Sequence, residues 1–225
     1  MQKILGLTLA ATAAFATAAI AAPERIRGTV TAVDAHSITV HTAAKDVPIA
    51  LTGDTKYLKV VKSSLDKVEK DSFIGTATKD VGEKMIALEV VIFPSAMKGT
   101  GEGHYGWDRI ADTTVGGGSG STNSTMTNGT ISAVQGNGAT ANSTMTNGTV
   151  SSADAKGGAR QITVAYKGGE KTIIVPPTAP VVAFEPNTMS DVKPGKVVFV
   201  IANEADGKYT AGAVAVGTEG APPPM

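Results

Sequence analysis

The chain of 225 residues contains no cysteine, which excludes disulfides, thiolate metal sites and cysteine nucleophiles together. Aromatic residues are scarce, with one Trp, four Tyr and five Phe. Few of Tyr57, Phe73, Tyr166 and Phe199 fall on an evident outward face beside Lys or Arg, so base-stacking platforms are hard to assemble. Net charge is missing as well: 20 basic residues stand against 20 acidic ones. No general attraction to nucleic acid or to an anionic membrane surface follows, and no nucleic-acid partner is expected. There is no G-x-S-x-G elbow and no H-x-H, H-x₃-H or H-E-x-x-H spacing. Carboxylates lie mostly in turns beside Gly or Lys. The expectation is therefore a non-enzymatic protein with no catalytic residue, no histidine metal site and no cofactor.

One apolar run stands out, from Ile4 to Ile20, preceded by Lys3 and free of charge. Ala19-Ile20-Ala21 places small residues at the two recognition positions of a secretory signal, so residues 1–21 read as a signal peptide cleaved after Ala21. Loss of Lys3 leaves 19 basic against 20 acidic residues. No later run is long and apolar enough to form a membrane-spanning helix. The mature chain is expected in the periplasm, with an unidentified envelope protein or small ligand as its partner.

What remains is β-patterned and repeated. Arg25–Asp34 alternates, with Ile26, Gly28, Val30 and Ala32 on one side. Strands are expected over Ser37–Thr42, Val47–Leu51, Tyr57–Val61, Phe73–Thr78 and Lys84–Phe93, with a short helical turn over Ser63–Lys70. A second region answers the first. Gly148–Asp154 matches Gly28–Asp34, and Gln161–Val164 matches Ser37–Val40. Thr188–Gly195 stands where the helical turn stood, and Ala205-Asp206-Gly207 signals a hairpin. The expected fold is all-β: two tandem small Greek-key β-barrels of the OB type, each with a short helical turn, over residues 22–94 and 147–217. A pair of open sandwich-like sheets is the alternative. Residues 95–146 form a Gly/Ser/Asn-rich loop and linker, and 218–225 a tail. Lys56, Lys59 and Lys62 read as protection of a sheet edge.

The linker holds an octapeptide, Asn123-Ser-Thr-Met-Thr-Asn-Gly-Thr130, repeated letter for letter at Asn142–Thr149. Thr-Asn-Gly suits a tight bend before a strand. The second copy runs into the expected first strand of the second module. The first copy is expected to be a spacer or an extra edge strand, removable as Asn123–Ala141 without loss of fold.

Arg27-Gly-Thr-Val-Thr-Ala-Val-Asp34, Ser37-Ile-Thr-Val40 and Ser64-Leu-Asp-Lys-Val68 before Asp71-Ser-Phe-Ile74 resemble a family of exported bacterial OB-like domains without an assigned function. Glu69-Lys70-Asp71 departs from the V-G-D of that family. With Gly99–Asp108, Met145–Thr149 and Pro223-Pro-Met225, the chain resembles a two-module proteobacterial group sometimes labelled metal-transporter permeases. The resemblance implies an OB-like topology and no catalytic residue. The permease label has no support in a chain without a further apolar span.

The best candidate site in the sequence is Glu102, His104, Tyr105, Trp107 and Asp108. A carboxylate, an imidazole and two aromatic rings in seven residues suit a small ligand or a metal, and Gly99, Gly101, Gly103 and Gly106 allow a tightly folded loop. The competing reading makes Tyr105 and Trp107 apolar anchors for the linker. Two functions are carried forward: a periplasmic binding or envelope-associated protein, and a carrier of a metal ion or small molecule that uses this loop or the cleft between modules.

Overall fold

Alternating apolar and polar residues become strands almost wherever they occur. The computed structural model describes residues 23–114, 117, 120–135, 158–218 and 220–224. Within them the chain is all-β: β1 (Glu24–Val33), β2 (Ser37–His41), β3 (Asp46–Ala50), β4 (Lys56–Lys62), β5 (Phe73–Val81), β6 (Lys84–Ile92), β7 (Gly103–Ala111), β8 (Ser121–Gln135), β9 (Arg160–Tyr166), β10 (Gly169–Val175), β11 (Val181–Pro186), β12 (Val197–Ala205) and β13 (Lys208–Gly217). The β5–β6 turn uses Gly82 at φ 60°, and the β12–β13 turn uses Asp206 and Gly207 at φ 51° and 73°. These left-handed positions match the right-handed twist of the flanking strands. Among the described residues, no helix is long and apolar enough to cross a membrane.

All 13 strands belong to one hydrogen-bonded sheet. Its pairings contain two closed circuits of five strands. In the first, β12, β1, β2, β3 and β13 follow one another, and β13 returns to β12. In the second, β5, β8, β9, β10 and β6 do the same. Each circuit closes through a parallel pair: β3 with β13 at Ile49↔Tyr209, and β10 with β6 at Ile173↔Met85. β4 and β11 pair antiparallel and join the circuits, β4 running parallel to β13 and β11 parallel to β6.

Each circuit encloses its own apolar core. Val30, Ile38, Val40, Ile49, Val200 and Val214 fill the first, and Ile74, Val90, Ile131, Ile162, Val164 and Ile173 the second. The expected helical turns are 3₁₀ turns, Leu65–Lys67 and Met189–Asp191. Each is followed by a buried valine: Val68 enters the second core and Val192 the first. A further core between the circuits gathers Leu58, Val60, Val91, Val182, Phe184 and Phe199.

The circuits do not follow the two chain segments expected from the repeat. β1–β3 close with β12 and β13, from the far end of the chain. β5 and β6 close with β8–β10. Degeneracy is the physical reason. Because β12 and β13 repeat the pattern of β5 and β6, either hairpin presents an apolar face of the right length to β1–β3, and alternation alone does not choose between them. Two local expectations also change. The lysine-bearing β4 is interior, flanked by β11 and β13, and Lys59 Nζ lies 2.8 Å from Glu185 of β11. The first octapeptide copy is neither spacer nor edge. It is the middle of β8, paired with β5, β7 and β9. The signal segment 1–21, the second octapeptide copy and the expected strand Gly148–Asp154 lie outside the described residues.

Candidate ligand cavity between the circuits

The stretch expected to be a loop is strand β7, entered through Gly99, Gly101 and Gly103 at positive φ and paired with β8. Strand alternation therefore divides the five candidate residues. Glu102 and His104 go one way. Glu102 Oε1 accepts the backbone N–H of Lys167 at 3.0 Å. His104 Nδ1 lies 2.9 Å from Thr127 Oγ1, and its ring stacks 6.2 Å from that of Tyr166. Burial, aided by nearby Lys171 and opposed by Asp80, holds the His104 pKa below its ordinary value. Tyr105 and Trp107 go the other way, with ring centroids 6.1 Å apart. A register shift between Gly106 and Arg109 accommodates Asp108, which accepts from Arg27 Nη1 at 2.6 Å and lies 3.4 Å from Arg25 Nη1. The five residues therefore do not converge on one metal. No group of three or more His, Asp or Glu suited to a metal ion occurs among the described residues.

Tyr105 and Trp107 instead line a cavity of about 480 Å³ between the circuits. Phe93, Phe184 and Phe199 face it as well, so half of a scarce set of aromatic rings meets at one place. Phe93 stands edge-on to Phe184 at 5.3 Å and tilted to Phe73 at 5.4 Å. Met97 and Met126 add adaptable apolar surface. Among the described residues Arg25 is the one charged lining residue, and its guanidinium lies 3.8 Å from the Trp107 ring centroid. That is a cation–π contact, supported from behind by Asp108.

Asn128, in the first octapeptide copy, fixes the floor. Its Nδ2 donates to Gly101 O and to Tyr105 Oη, both at 3.0 Å, and Tyr105 Oη donates to Gly101 O at 3.2 Å. Burial pushes the Tyr105 pKa up, and the nearby charge of Arg25 partly offsets it. Asn128 Oδ1 is buried without a hydrogen-bond partner among the described residues, over Gly75, where any Cβ would collide with it and crowd Phe93. The tail also reaches this place, where Pro224 lines the cavity.

A larger hollow of about 700 Å³ lies beside the Leu65–Lys67 turn, lined by Lys62, Asp66, Arg160 and several prolines. It borders Gly158, and the ion pair of Arg160 with Asp66 lies at its wall. The smaller cavity is the better ligand site because its lining is apolar and aromatic, with few polar groups placed among it. Sequence reasoning found Tyr105, Trp107 and Asp108 and missed Arg25, Phe93, Asn128, Phe184 and Phe199. The available signal was the scarcity of Phe, since few rings in a small β-protein must share few places.

Compared with protein-family models, with curated proteins and with solved structures, the chain matches none.

Proposed function

We propose that this is an exported, non-enzymatic periplasmic protein that binds an apolar, ring-containing small molecule in the cavity between its two strand circuits. The observation that carries the proposal is the convergence of Phe93, Tyr105, Trp107, Phe184 and Phe199 around about 480 Å³, a volume within the range of small-molecule sites. Export rests on residues 1–21. An envelope protein that presents or receives the ligand fits the same location. We further propose that the two circuits are OB-like barrels with exchanged halves. Strand order, the parallel closing pair and the 3₁₀ turn before the fourth strand support this reading in each of them. A carrier role is retained for a small molecule; for a metal it loses its main support, since Glu102 and His104 point away from Asp108.

Titration with indole, naphthalene and 1-anilinonaphthalene-8-sulfonate, followed by Trp107 fluorescence, tests the site. At least one probe should give a saturable shift, and Ala213→Phe, which fills the cavity from a half-buried lining position, should abolish it while cooperative unfolding is retained. A flat response to all three probes, or an unchanged shift in the filled variant, overturns the proposal.

A further inference from the structure

Alternation along β1 sends Ile26 into the first core and puts Arg25 and Arg27 on the opposite face. Their partners across β12, Ile201 and Phe199, both line the cavity. Each guanidinium lies over an aromatic ring of that wall: Arg25 is 3.8 Å from the Trp107 centroid and Arg27 4.6 Å from the Phe199 centroid. Among the described residues one carboxylate contacts the pair. Asp108 Oδ2 accepts from Arg27 Nη1 at 2.6 Å, whereas Oδ1 lies 3.4 Å from Arg25 Nη1, beyond the usual range of a strong hydrogen bond. Asp108 therefore answers the charge of Arg27 and leaves most of the Arg25 charge unmatched. Arg27 Nε and Nη2 are also buried without a hydrogen-bond partner among the described residues, so the two guanidiniums hold more donors than Asp108 meets. No acidic residue lines the cavity among the described residues.

We propose that the ligand of this cavity is an aromatic monocarboxylate, its ring among Phe93, Trp107 and Phe184 and its carboxylate on the N–H edge of Arg25. The inference rests on the cavity reading above and adds the charge of the occupant. Two guanidiniums against one carboxylate leave a surplus of one positive charge at an otherwise apolar wall. A neutral ring would fill the volume and leave that charge unmatched, and an ammonium group would be repelled by it. An anion balances it where the surroundings are apolar and the attraction exceeds its strength in water. A carboxylate suits the geometry: Trp107 takes one face of the guanidinium, so its planar N–H edge meets the ligand and matches two carboxylate oxygens. Arg25 is only partly buried, which puts the anionic end at the mouth of the cavity and the ring within it.

Calorimetry with the protein injected into 2-naphthoate, naphthalene or 2-naphthylmethylamine separates charge from shape, because the three probes share one ring system. The native protein should bind 2-naphthoate about tenfold tighter than naphthalene, the effect of one hydrogen bond to a charged group, and the amine least tightly. Within Arg25→Met the preference for 2-naphthoate over naphthalene should vanish. Arg25→Gln is a second variant with the same expected loss, for use if Arg25→Met does not unfold cooperatively. Ala213→Phe should abolish binding of 2-naphthoate. Equal affinities for 2-naphthoate and naphthalene in the native protein overturn the inference and leave the cavity reading standing. A preference that persists in the Arg25 variants, or 2-naphthoate binding that survives Ala213→Phe, overturns it as well. Absence of binding by all three probes overturns the inference and the cavity reading together.

Discussion

At the scale of the residue, three positions carry consequences that can be measured. Lys79 Nζ donates to Asp112 Oδ2 at 2.6 Å, and Thr114 Oγ1 donates to Asp112 Oδ1 at 2.6 Å. Together they lower the Asp112 pKa from 3.8 to about 2, the lysine contributing most. A carboxylate with a depressed folded pKa stabilises the fold fully above its unfolded pKa, and that contribution is lost as pH falls toward the folded value. Urea midpoints should therefore drop between about pH 4 and pH 2, and Asp112→Asn should flatten this part of the profile. His104 is also held below its ordinary pKa, so its neutral form favours folding, and that contribution fades as pH falls below the ordinary imidazole range. Gly75 is the third. Gly75→Ala forces a methyl group into Asn128 Oδ1 and Phe93, an overpacking cost of about 1–3 kcal/mol by urea denaturation. Position 75 was legible in the sequence as part of a strand. Its need for glycine was not, because the neighbour that excludes a side chain comes from residue 128 on another strand.

At the scale of the element, β1 and β8 are equivalent. Thr29 pairs with His41 and Val30 with Val40, and a bulge follows; Thr130 pairs with Ala165 and Ile131 with Val164, and a bulge follows there too. Gly28 and Gly129 each press against the carbonyl oxygen of the next strand, His41 and Ala165 respectively. Gly28→Val and Gly129→Val should each abolish cooperative thermal unfolding, since either side chain would collide with a backbone carbonyl that the sheet holds in place. Strands β1–β6 and β9–β13 were largely legible from alternation and turn residues. β7 and β8 were not. Gly at 99, 101, 103 and 106 reads as loop, and Asn, Ser, Thr and Gly in the octapeptide read as turn chemistry. In the fold the hydroxyls of Ser124, Thr125 and Thr127 are satisfied across strands, as Thr78 with Thr125 and His104 with Thr127, so a polar sequence runs through the interior of the sheet with Asn128 Oδ1 as its exception. The same misreading hid half of the cavity floor, since Met126 and Asn128 belong to β8.

At the scale of the whole molecule, the five-strand circuits are shared between distant parts of the chain. A fragment ending near Thr114 would contain β1–β7 but would lack β12, which pairs with β1, and β8, which pairs with β5 and β7. The isolated 23–114 segment should therefore give no dispersed amide spectrum, whereas a self-contained module of that length would. For the same reason the full chain should lose the two cores in one transition, with coincident curves from Trp107 fluorescence and far-ultraviolet circular dichroism. The cavity belongs to this scale as well. Its walls come from β1, β4–β8 and β11–β13, so no single segment displays it, and the sequence offered only the two aromatic residues of β7 as a hint.

The pairing of Glu24 with Ala202 also sets an order in time. A chain delivered amino end first presents β1, β2 and β3 long before their partners β12 and β13 arrive. Until the last strands emerge, the early ones have bare hydrogen-bonding edges and apolar faces that invite pairing with other chains. Closure of the first circuit waits for nearly the whole polypeptide, a wait that favours slow maturation. A holding chaperone during delivery should raise the folded yield more than one acting after the carboxyl end is free.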